Sequence, residues 1–222
     1  MIGNTTLRDL LRLLSPRRRR ARITGRDELV EFLHQRSAYM AQSTLFGYLR
    51  ARMGIGFQEF FQDERFAAEI ADARLRVFVA CLGDLTVFAV ALAGAEGRLS
   101  DAACARAAER CFALALDGAL EPADRLKAAD APVDFSRRAR STDWARVHRG
   151  EAAFTTSPKM LSDAAPVSDR FRRADREIVT NSMRFHWREI RDELRRAMDA
   201  EAVAAALTAP TPWGPAPERD GR

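Results

Sequence analysis

The sequence predicts an all-α fold: an irregular bundle of about four long helices, with a long, poorly regular segment between the third and the last. Three observations carry that expectation. Apolar residues recur at about 100° per residue over long stretches, and strand-like alternation is sparse. The composition, 47% apolar and 30% charged, is that of a globular chain. At 222 residues, one domain with terminal arms fits better than two. The expected division is a basic arm over 1–22, a single helical domain over 23–207 and a disordered tail over 208–222.

Taken in order, "NTTLRDLLRLL" (4–14) reads as a short amphipathic helix with leucines at 7, 10, 11 and 14. Its length makes it marginal without a surface to lie on. "SPRRRRAR" then breaks it and forms a linker. Thr24 is expected to cap a helix over 26–53, whose first turn holds Asp27 and which "GIG" from Gly54 ends. A second long helix is expected to start near Asp63. A third starts at a Ser100 cap and stops before Pro122.

Prolines 122, 132, 158 and 166 interrupt residues 121–167, where only "STDWARVHR" reads as a short capped helix. The rest of that segment is expected to be an irregular wrap over the core. The last helix should run from Ser168 to about Leu207. It carries two apolar stripes, one of Phe171, Ala174, Ile178 and Phe185 and one of Met183, Trp187, Ile190, Leu194 and Met198. Each stripe is expected to pack on a different neighbour.

Charge is unevenly distributed. Residues 1–22 hold seven arginines against Asp9, or +6, while the chain totals +5, so the other 200 residues sum to −1. Affinity for an anionic partner is therefore expected in the arm, at Arg17, Arg18, Arg19 and Arg20. A polybasic run beside a leucine-rich helix matches an anchor to an anionic membrane surface. Neither helix-turn-helix spacing nor aromatic–basic interleaving accompanies it, so nucleic acid is not the expected partner. Cys81, Cys104 and Cys111 form no disulfide framework and read as small core residues in a reducing, cytoplasmic setting. The N-terminus runs apolar-then-basic, the reverse of a secretory signal.

"VFVACLGDLTVFAVALAG" (77–94) holds one charge, Asp84, among apolar neighbours. Its nine Val, Leu and Phe residues would gain about 3–5 kcal/mol in a bilayer, against a cost of about 2.5–3.5 for the aspartate. That near-cancellation predicts a buried core helix rather than a transmembrane segment. A buried carboxylate needs partners. The candidates are an arginine from another helix, the hydroxyl of Tyr39 or Tyr48, or the amide of Asn181.

The chain lacks the G-x-S-x-G elbow of an α/β-hydrolase and the glycine patterns of P-loop and Rossmann proteins. Glu31-x-x-His34 and the reversed pair His186-x-x-Glu189, with Asp84 and Glu109 on other helices, would suit a carboxylate-bridged di-metal site. The metal candidates are Glu31, His34, Glu109 and His186, and no cofactor is the first expectation.

"RSAYMAQSTLFGYLRARMG", "VFVACLGDLTVFA", "AFTTSPKMLSDAAPVSD" and "DREIVTNSMRFHW" together resemble an uncharacterised family of bacterial, chiefly alphaproteobacterial, helical proteins. Some members carry the label "esterase". The resemblance covers roughly 23–200, implies a single helical domain and supplies no catalytic residues. The expectation is thus a non-catalytic binding or scaffold protein with an unidentified protein partner and a membrane-surface anchor. The alternative is an enzyme, either an esterase or a di-metal protein.

Overall fold

The computed structural model describes residues 22–54 and 63–210, which form nine α-helices and one 3-10 turn. The fold is all-α. The four long helices are α1 (Arg26–Met53), α2 (Glu64–Glu96), α3 (Asp101–Asp117) and α8 (Asp169–Ala197). Between α3 and α8 lie α4 (Pro122–Lys127), α5 (Ala131–Arg140), α6 (Trp144–Val147), a 3-10 turn (Glu151–Ala153) and α7 (Thr156–Ala164). A last helix, α9 (Ala200–Thr208), follows α8.

Local chemistry explains most of the ends. Asp63 caps α2 by accepting from the amides of Arg65 and Phe66, and Ser100 caps α3 by accepting from the Ala103 amide. Thr24 does not cap α1. Gly25 occupies the N-cap without a side-chain bond, and Asp27 and Glu28 in the first turn answer the exposed amides instead. Gly54, at φ 64°, ends α1 in a conformation that glycine adopts without penalty.

Helix α2 is the axis of the molecule and packs against α1, α3, α7 and α9. From Val77 to Gly94, every residue except Val79 and Leu92 is buried. By length and composition α2 could cross a membrane, but 89% of its most apolar window is buried inside the protein. A helix that is apolar all round belongs at the centre of a bundle, where neighbours cover every face.

The irregular wrap expected over 121–167 is instead a chain of short helices. The prolines that looked like breakers start them: Pro122 and Pro132 sit at the first or second helical position of α4 and α5. A proline there forfeits only an amide that has no intrahelical partner.

The single last helix expected from 168 to 207 is interrupted at Met198, which is extended. Ile23 lies beside Met198 in an isolated parallel bridge. Its amide donates to the Ala197 carbonyl and its carbonyl accepts from the Asp199 amide, both at 2.9 Å. Asp199 then caps α9 by accepting from the Ala202 amide at 3.2 Å. The break joins the start of the domain to its end.

Candidate functional site

Asp84 has no exposed surface. Its Oδ1 accepts from Arg138 Nη2 of α5 at 2.7 Å and from the Thr156 amide at 3.3 Å, and its Oδ2 accepts from the Ser157 amide at 2.8 Å. Both amides belong to the first turn of α7, whose own N-cap Thr155 makes no side-chain bond. A carboxylate from α2 therefore caps α7, answering unpaired donors and the positive end of the helix dipole together.

The network continues outward from there. Arg138 Nη2 also donates to the Ala153 carbonyl at 2.8 Å, and Ser157 Oγ accepts from Trp187 Nε1 of α8 at 3.0 Å. One buried aspartate thus ties four helices and the 3-10 turn into a polar clasp.

Gly83 makes the approach of α5 feasible. A Cβ there would lie 3.3 Å from Arg138 Nη1 and 3.4 Å from the Phe135 ring. The Phe135 ring stacks on Phe112 of α3 at 4.1 Å between centroids. On the other side Phe154 lies 5.4 Å from Phe88 and 4.5 Å from Trp187, with the Arg191 guanidinium 5.7 Å above it. Burial, reinforced by the Asp84 charge, pushes the Cys81 thiol well above its ordinary range.

Of the expected partners of Asp84, an arginine is the one it meets. Tyr48 instead donates to Asp175 Oδ2 of α8 at 3.0 Å, and Arg52 also pairs with that carboxylate. Burial first, and then the hydrogen bond and charge of Asp175, push the Tyr48 hydroxyl up to about 12. Tyr39 is 40% exposed, and Asn181 lies on the outer face of α8.

The four candidate metal ligands are not brought together. Glu109 accepts from Ser136 Oγ at 2.6 Å and Arg140 Nε at 3.1 Å, and Glu31 accepts from Gln35. His34 is half-buried at the edge of Phe78, and His186 Nδ1 meets the Ser182 carbonyl one turn back. Among the described residues no group of three or more His, Cys, Asp or Glu could hold an ion. The E-x-x-H spacing fixed only which face of α1 the two residues share, and a shared face on one helix does not bring ligands from other helices to it. Burial lowers the pKa of His34, with the nearby Glu31 charge opposing.

The two stripes of α8 part company. Met183, Trp187, Ile190 and Leu194 are buried, and the buried line continues toward the N-terminus through Val179 and Asp175. Phe171, Ile178 and Phe185 of the other stripe are 40%, 64% and 63% exposed. Phe171 keeps one neighbour within the domain, the Arg52 guanidinium of α1 lying 5.1 Å over its ring, but for Ile178 and Phe185 the expectation that this stripe packs on a neighbour is corrected. The inward line runs through a paired aspartate that the apolar pattern did not count, so the stripe with more apolar residues at its N-terminal half was left outside.

Two open surface depressions lie elsewhere, one between the start of α2 and Asp163–Pro166 and one along α5. Neither is lined by Asp84, Asp175 or a histidine. Arg17, Arg18, Arg19 and Arg20 lie outside the described residues, as does most of the expected tail.

These features define a class: an all-α domain folded around a helix-capping carboxylate, with one long helix presenting an apolar outer face. Comparisons with family models, curated proteins and solved structures found no match for this chain.

Proposed function

We propose that this protein is a non-catalytic helical scaffold that binds through the outer face of α8 and meets an anionic membrane surface through residues 1–22. The observation that carries the binding reading is the exposure of Phe171, Ile178 and Phe185 along one face of one helix. Large apolar side chains exposed in line along one helix face support an interaction site there. The interior supports the same reading. Asp84 and Asp175 are committed to arginines and helix amides or a tyrosine, and Ser157 is buried and holds Trp187. The membrane half rests on the +6 carried by residues 1–22 against −1 for the remainder.

One experiment with two arms tests it. Co-sedimentation with phosphatidylglycerol vesicles is expected for the full chain, to weaken with salt and to disappear when residues 1–22 are removed. Equal binding by both chains removes the arm from the proposal. In-cell crosslinking of the full chain and Ile178→Glu is expected to give a set of adducts that the variant loses. An unchanged adduct set sinks the α8 half.

A further inference from the structure

The outer stripe of α8 has the spacing of a helix–helix seam. Phe171, Ile178 and Phe185 stand seven residues apart, with Ala174, Asn181 and Arg188 three residues after each. A seven-residue repeat is the period by which one helix keeps a seam against another, with alternate layers formed by the two sets. From Phe171 to Phe185 the seam runs about 21 Å at 1.5 Å per residue. All six of these residues are exposed.

Flanking charges offer a pattern that a second copy of the same helix can complement. Glu177 and Arg184 border the seam on the same side, and both are exposed. Neither makes an ion pair with another described residue. In antiparallel pairs, flanking positions of this kind meet their own counterparts across the interface.

We propose that the outer face of α8 pairs with α8 of a second copy, antiparallel, with Ile178 facing Asn181 of the other chain. In this register Ala174 receives Phe185 of the second copy, a small residue opposite a large one, and Phe171 faces its Arg188. Glu177 of each chain then lies beside Arg184 of the other, so one attraction occurs twice by symmetry. Sliding one heptad in either direction sets Glu177 against Glu177 or Arg184 against Arg184. That pair therefore opposes both neighbouring registers. Asn181 in the seam adds a polar group that further restricts register at some cost in stability.

Three large apolar side chains per copy place the contact at the small end of the interface range. The dissociation constant is then on the order of 10–100 µM rather than nanomolar.

This inference rests on the reading of α8 as the binding face, and the test separates the two. Sedimentation equilibrium of the full chain from about 5 to about 500 µM is expected to show a monomer–dimer equilibrium. Glu177→Arg alone and Arg184→Glu alone should each weaken it about tenfold or more, while the double exchange restores it to within about threefold. Both residues are exposed, so circular dichroism and the thermal midpoint should match the parent in all four chains.

A monomer at every concentration overturns the self-pairing, and so does a dimer indifferent to all three changes. If Ile178→Glu still loses its crosslinked adducts while the parent is monomeric, the face binds something else and only the second copy is excluded. If Ile178→Glu alters neither measurement, both readings fall.

Discussion

A carboxylate with no exposed surface persists only where donors replace the water it has lost. Asp84 has three: the Arg138 guanidinium and the amides of Thr156 and Ser157. Asp84→Ala would leave a part-buried guanidinium without its counter-charge, holding only the Ala153 carbonyl, and two helix-terminal amides unpaired. It should cost about 3–5 kcal/mol, the range for breaking a buried pair from one side. Replacing both partners, as Asp84→Leu with Arg138→Met, removes the stranded charge but still uncaps α7. Its loss should fall to about 1–2 kcal/mol, that of a missing helix cap. Urea unfolding of the single and double variants checks this. A double variant as unstable as Asp84→Ala would mean that the ion pair is not what makes the aspartate necessary. The sequence made the need for a partner legible, and an arginine was among the candidates. It did not show which one, because 34 of the 36 basic residues are arginine and Arg138 lies in a segment expected to be irregular. Asp175 was missed for another reason: its place in register with Val179 and Met183 is visible only when polar residues are allowed on the buried face.

At the scale of elements, the starts of the first three long helices and the Gly54 stop were legible to within a residue or two, since those signals are local, whereas the third helix ends at Asp117, short of the expected stop before Pro122. Of the short helices over 122–164, only the one at Trp144–Val147, capped by Asp143 within "STDWARVHR", was legible. A proline reads alike whether it ends one helix or begins the next, and the packing that decides lies far along the chain. The break at Met198 is likewise made by Ile23, a residue from the opposite end of the domain. It lets α9 turn back against α2, where close approach requires glycine: a Cβ on Gly97 would sit 2.3 Å from the Ala204 Cβ. Neither atom is the end of a flexible side chain, so Gly97→Ala must displace α9. The expected cost is about 1–3 kcal/mol, the range for overpacking. Ala204→Gly in the same chain should recover part of it, less the penalty of glycine within a helix. Thermal unfolding of the three variants decides the matter, and a neutral Gly97→Ala would show that α9 is not held against α2 at that point.

The whole molecule encloses three thiols in one core, Cys81 on α2 and Cys104 and Cys111 on α3, all free and buried. Burial pushes Cys104 up to about 11 and Cys111 up to about 12, from an ordinary value near 9, and Cys81 well above it. The linkage has a definite sign. Below pH 9 folded and unfolded chains both keep these protons, and the thiols do not make stability depend on pH. Above pH 9 the unfolded chain releases them while the folded chain cannot, so stability falls as pH rises from about 9 through about 12. Tyr48, held up to about 12 chiefly by burial, adds to the same loss from about pH 10. Urea midpoints should decline across that window, and replacing the three cysteines with alanine should flatten the decline whatever it does to stability at neutral pH. The same thiols report on cooperativity. If α2 and α3 open only when the whole bundle does, all three should react with a disulfide reagent in one slow phase at pH 8, at a rate set by the global unfolding equilibrium. A fast phase from Cys104, which lies in the first turn of α3, would show that this end of the bundle opens alone. The protein would then have a second cooperative unit that its single continuous core does not reveal.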